Sequence, residues 1–158
     1  MSPPPKSKPD AASALRERAL GLLARREHSR AELRRKLADP ESDGADLDAL
    51  LEQLAAAGLQ SDARYAEAFV HSRVLRGQGP LRIRQELRQR GVAADLADTA
   101  LAEAGVDWAD LLAAAHRKRF GSAPPGDRRD LARRARFLAQ RGFASEQIRA
   151  LLTDPGEA

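Results

Sequence analysis

Apolar positions along this chain fall at helical spacing in every stretch between breakers. Leu15, Ala19, Leu22 and Leu23 lie at i, i+4, i+7 and i+8, one face of a helix. Leu33 and Leu37 mark a second helix. Leu47, Leu50, Leu51 and Leu54 mark a third, closed by Gly58. Tyr65, Phe69 and Val70 supply the stripe of the next. Ile83 and Leu87 follow, then Ala97, Ala100, Leu101 and Ala104. Trp108, Leu111, Leu112 and Ala115 are followed by Leu131, Ala135 and Leu138. Ile148, Leu151 and Leu152 end the series. The spacing predicts nine helices and no strand of convincing length.

Polar punctuation agrees. Ser29 and Glu32 read as a capping box, in which the hydroxyl accepts from a backbone N–H and the carboxylate reaches back. Ser61 or Asp62, then Asp107, Asp127 and Ser145, stand where caps are needed. Pro80 follows a glycine-rich turn and suits the first helical position, where a missing N–H costs nothing. Main breaks are expected at 39–45, 77–79 and 121–126.

The pattern is also periodic. Leu87-Arg88-Gln89-Arg90-Gly91-Val92 aligns with Leu138-Ala139-Gln140-Arg141-Gly142-Phe143, and 51 residues separate the two glycines (142 − 91). Leu33 and Leu37 precede Ile83 and Leu87 by 50 (83 − 33). A fixed period of this length marks an array of small helical units, which presents a long surface. The expected fold is all-α: three tandem three-helix, helix-turn-helix-like repeats in an elongated array. Their bounds are 13–59, 60–105 and 106–154, after a disordered tail at 1–12 that holds four of the nine prolines.

Composition narrows the function. Only 4% of the 158 residues are aromatic, so Leu and Ala must build the core. The absence of cysteine excludes disulfides and thiolate-ligated metals. His28, His71 and His116 lack metal-ligand spacing, and no nucleophile–base–orienter set is visible. No apolar run reaches the roughly 20 residues of a membrane span. A cytoplasmic, monomeric, non-enzymatic binding protein without cofactor is expected.

Charge sets the candidate site. Lys and Arg number 27 against 23 acidic residues, a net charge of +4. The middle helix of each repeat is basic and the closing helices of the first two are acidic. A single charged helix is ordinarily a solvated face. Three equivalent ones point to a basic track for phosphate or an acidic protein surface. The candidate partner-binding residues are Arg25, Arg26, Arg30, Arg34, Arg35, Arg82, Arg84, Arg88, Arg129, Arg133, Arg136 and Arg141.

Four segments carry a family resemblance: 23–33 (Leu23 to Leu33), 62–70 (Asp62 to Val70), 79–87 (Gly79 to Leu87) and 136–143 (Arg136 to Phe143). In this order they resemble the RecX family, regulators of the bacterial RecA recombinase. The resemblance covers nearly everything from Leu15 to Leu152. It implies a curved molecule that binds along the groove of the RecA–DNA filament. It further implies inhibition of RecA's ATPase, strand-exchange and coprotease activities, a place in recombination and the SOS response, and no catalysis. The alternative is a helix-turn-helix-like protein acting directly on single- or double-stranded DNA. Acid-rich closing helices and a modest net charge weigh against it.

Overall fold

The computed structural model describes residues 1–3 and 10–153; residues 4–9 of the expected N-terminal tail, and residue 154 of the third expected repeat, lie outside these. Nine helices occur among the described residues, and no strand. They are α1 (Ala11–Arg25), α2 (Arg30–Leu37), α3 (Ala45–Ala56), α4 (Asp62–Leu75), α5 (Pro80–Gln89), α6 (Ala94–Glu103), α7 (Trp108–Phe120), α8 (Arg128–Gln140) and α9 (Ser145–Thr153). The first helix begins two residues before Ser13, because the Asp10 carboxylate accepts from Ser13 N at 2.7 Å and caps it.

Helix starts follow the sequence closely. The Ser29–Glu32 capping box is complete, and Asp107 and Asp127 each accept from the residue three ahead. Ser61, rather than Asp62, caps α4, its hydroxyl accepting from Arg64 N at 3.1 Å. Ser145 does not cap α9: it is already the first helical residue, and the Ala144 carbonyl accepts the first helical bond, from Ile148 N. Ala104 is not a core residue, because α6 ends at Glu103 and leaves it exposed at the C-cap.

The repeated Leu-x-x-Arg-Gly-apolar motif is a helix stop. Gly91 N donates to Arg88 O and Val92 N to Leu87 O; Gly142 N donates to Ala139 O and Phe143 N to Leu138 O. Both are Schellman motifs, with the glycine at positive φ and an apolar residue folded back on the last buried leucine. Val92, Leu87, Phe143 and Leu138 are all buried.

Two compact units result, Met1–Tyr65 and Ala66–Ala158. In the first, Ala19, Leu33, Leu37, Leu47, Leu50, Leu51 and Leu54 form the core of α1–α3, with Leu15, Leu20, Leu22 and Leu23 packed against it. In the second, α5 packs on α6, and Ile83 and Leu87 of α5 and Ala97 of α6 are buried. Leu112, Leu138, Phe143 and Ile148 form the core of α7–α9, flanked by Leu111, Ala115, Ala135, Phe137, Leu151 and Leu152.

Within this second unit the turn before α5 meets the turn after α8, backbone to backbone. Gly79 N donates to Arg141 O at 2.7 Å and Leu81 N to Gly142 O at 3.0 Å. A Cβ on Gly79 would lie 2.5 Å from the Gly142 carbonyl carbon, and one on Gly142 would collide with Arg82 Cβ. Gly105, also at positive φ, has open space around it. Gly105→Ala is therefore expected to cost about 1–2 kcal/mol from backbone strain alone. Gly142→Ala adds overpacking of about 1–3 kcal/mol. Urea unfolding of the two variants checks the order.

Candidate partner-binding surface

In the first unit, the segment that starts α2 is held by a buried polar junction. Arg26 Nη2 donates to Glu32 Oε2 at 2.8 Å, and Glu32 N donates to Ser29 Oγ at 3.1 Å. Tyr65 also hydrogen-bonds the Glu32 carboxylate. Arg30 N donates to Asp62 Oδ1 at 2.8 Å, and Gln60 Nε2 donates to both Asp62 Oδ1 and His28 O. Arg64 pairs with Glu27 and donates to the carbonyls of Gly58 and Leu59. His28, Ser29, Glu32 and Gln60 are buried here. Burying such groups is tolerable only when each is paired. The junction ties the start of α2 to the linker and first turn of α4.

The twelve candidate arginines divide by what holds them. Six are ion-paired: Arg26 to Glu32, Arg30 to Glu52, Arg34 to Asp48, Arg82 to Glu86, Arg84 to Asp98 and Arg133 to Asp130, at 2.6–3.1 Å. Three of these pairs, those of Arg30, Arg34 and Arg84, join the basic middle helix to the acidic closing helix of the same repeat. Each exposed pair is worth about 0–1 kcal/mol. Their main consequence is electrostatic: the polarity expected within the first two repeats is partly neutralised across the helix pair. Arg25, Arg35, Arg88, Arg129 and Arg136 are exposed and make no ion pair with a described residue. Arg141 is half-buried, donating to Arg76 O and lying 5.1 Å over the Phe137 ring.

Arg134 differs from its neighbours on α8. It is buried, pairs with Asp130, donates to Ala123 O at 2.8 Å, and lies 5.2 Å over Phe120. Its Nη1 also sits 3.2 Å from His116 Nε2, and its Nε has no partner. This side chain anchors the 121–126 segment. Helical spacing could have marked it, since Arg134 falls four residues before Leu138 on the inner face. Arg134→Ala is expected to destabilise the protein by about 2–4 kcal/mol through its stranded partners. Arg133→Ala, which is exposed, is expected to change it by about 0.5 kcal/mol or less.

The aromatic rings serve packing. Phe69 lies beneath the Arg73 and Arg90 guanidinium groups at 4.4 and 4.9 Å. Phe137 meets Phe120 edge-on at 5.4 Å. No group of three or more His, Cys, Asp or Glu among the described residues could hold a metal ion. None of the described helices is long and apolar enough to cross a membrane.

Tandem three-helix domains, each with an arginine-rich middle helix, define an all-helical protein built from repeats. Family models of RecX match them in chain order: the first three-helix domain at 16–54, the second at 61–101 and the third at 106–152. The chain is 52% identical over 140 residues to regulatory protein RecX of Halorhodospira halophila, covering 89% of this chain and 87% of that protein. It is 50% identical over 134 residues to regulatory protein RecX of Acidithiobacillus ferrooxidans, covering 85% of each. A crystal structure of RecX from Lactobacillus salivarius shares the fold, with TM-score 0.73 and 22% identity over 92% of this chain and 96% of that one. The chain belongs to the RecX family of regulatory proteins.

Acid should loosen the junction around Glu32. Burial alone would raise this carboxyl, but hydrogen bonds from Arg26 and Tyr65 and the Arg26 charge outweigh it and hold it at about 2, against an ordinary 4.5. A depressed native value contributes stability that is fully present above 4.5 and is lost as pH falls toward 2. Asp130, also held at about 2 chiefly by Arg133, contributes in a narrower window, from its ordinary 3.8 down to about 2. Glu32→Gln is therefore expected to lower stability at pH 7 by about 1–3 kcal/mol and to flatten, without abolishing, the acid limb. Urea midpoints between pH 7 and 2.5 measure both effects.

Proposed function

We propose that this chain is a regulator of the RecA recombinase. It binds along the RecA–DNA filament and inhibits ATP hydrolysis, strand exchange and coprotease activity, and so restrains recombination and the SOS response. It acts by binding, in the cytoplasm, as a monomer and without a cofactor. The observation that carries this is the full set of three RecX domains in family order, spanning 16–152. Each lies within one of the repeats drawn at 13–59, 60–105 and 106–154.

The physics supports a filament partner. A chain of repeats offers similar faces at successive positions, and a filament offers similar protomers. Weak contacts then reinforce one another through effective concentration. Bridging neighbouring protomers opposes the relative movement that ATP turnover requires. Direct action on DNA alone is less well supported. Arg30, Arg34 and Arg84 already engage carboxylates of their own repeats, which lowers the positive potential a bare duplex would meet.

The contact cations are best sought among those without an internal partner. Reversing Arg82 or Arg84 would set a new carboxylate beside Glu86 or Asp98 and confound folding with binding. Arg88→Glu, Arg129→Glu and Arg136→Glu avoid this. Together they are expected to leave helix content and melting temperature unchanged, since exposed substitutions cost about 0.5 kcal/mol or less each. Inhibition should weaken by at least about tenfold, from lost charge-assisted contacts. Titration into RecA on single-stranded DNA, following ATP hydrolysis, is the measurement. Wild-type protein that leaves hydrolysis untouched would refute the proposal itself. A triple variant that inhibits like wild type would move the contact surface elsewhere.

A further inference from the structure

Within the second unit a groove of about 360 Å³ opens between the C-terminal end of α4 and α7, closed at one end by α8. Its floor is aliphatic. Leu75 is 76% exposed, and Val74, Leu111, Ala114 and Ala115 continue the surface. On α7, Leu111, Ala115 and Lys118 stand at i, i+4 and i+7, a face about 10 Å long, or two helical turns. Ala114 and Ala115 are small, so a backbone can approach closely.

The rim is cationic. Arg76, Lys118, Arg119 and Arg141 surround the floor, and no carboxylate lines it. None of the four makes an ion pair with a described residue. Helix ends explain part of this charge, because α4, α7 and α8 all terminate here. Three C-terminal ends carry about −1.5 charges in total, against four full positive charges. A clear positive excess remains.

We infer that this groove docks an acidic amphipathic helix of a protein partner, its apolar residues on the Leu75–Ala115 floor and its carboxylates on the four rim cations. This rests on the protein-directed function proposed above. In helix-in-groove recognition the docking helix lays apolar anchors at i, i+3 or i+4, and i+7 on an apolar floor, here Leu75, Val74, Leu111 and Ala115. Nucleic acid fits less well. The floor is aliphatic, and the one aromatic ring, Phe137, already lies under Arg119 and Arg141 at 5.7 and 5.1 Å. That ring is already engaged by two guanidinium groups, which makes it a poor stacking platform for a base.

The probe is a fluorescein-labelled peptide of about 12 residues with Leu at i, i+4 and i+7 and Glu on its other faces. A second peptide of equal charge carries Gln in place of Leu. Fluorescence anisotropy with the full chain is expected to show the Leu peptide binding at least about tenfold tighter than the Gln peptide. Leu75→Glu and Lys118→Glu, both at exposed positions, should each weaken it by about tenfold or more while circular dichroism stays unchanged. Equal binding of the two peptides, or variants that bind like wild type, would overturn the inference. So would a single-stranded oligo-dT that displaces the peptide and loses affinity in the same two variants. The RecA titration is read separately. Inhibition of RecA without peptide binding sinks the groove alone, and peptide binding without inhibition sinks the RecA function alone.

Discussion

The second unit depends on a backbone contact with no room for a side chain. Gly79 and Gly142 approach until the turn before α5 and the turn after α8 share hydrogen bonds, N–H to carbonyl, in place of water. Gly79 and Gly142 are buried, so losing the contact would leave the Gly79 N–H and the Gly142 carbonyl unsatisfied. The contact also fixes where Pro80 begins α5 and where Phe143 folds over Leu138. The register of one bundle against the next thus follows from two glycines 63 residues apart (142 − 79). The first unit is held internally by a polar device. Glu32, held ionised by Arg26 and Tyr65, ties the start of α2 to the first turn of α4.

These two devices explain the four segments that carried the family resemblance. Residues 23–33 and the start of 62–70 meet around Glu32, Asp62 and Arg64. Residues 79–87 and 136–143 meet around Gly79 and Gly142. Segments far apart in sequence are therefore two joints, each made by two of the motifs. Their chemistry differs for a reason of geometry. Where backbones touch, only glycine fits. Where they stand apart, side chains must bridge, and buried ones must be fully paired.

Charge in this protein serves two ends at once. Arginine forks on the middle helices reach the carboxylates of the closing helices and stitch the first two repeats internally. Arg88, Arg129 and Arg136, and the cations on the rim of the α4–α7 groove, make no ion pair with a described residue. The internal pairs contribute specificity of packing more than net stability, since exposed pairs are individually weak.

Much of the fold was legible in the sequence, because helices are local. Bonds between residues four apart, caps three apart and a glycine at C′ are written in adjacent residues. The helix spans, the Ser29–Glu32 box and the leucine stripes were read this way. The family was legible too, through motifs in order. The misplaced Ser145 cap and the Ala104 assignment were errors of about one residue, within the margin where neighbouring polar or small residues compete for the same role. What tertiary structure alone decided is the fate of individual charges. Arg133 and Arg134 are adjacent, yet one is solvated and the other is buried against Asp130, Ala123 and His116. Arg30 finds Glu52, and Arg84 finds Asp98, only after two helices pack. The groove floor likewise joins Leu75 to Ala115 across forty residues of chain (115 − 75). Such pairings depend on which surfaces meet in space, and local periodicity carries no information about that.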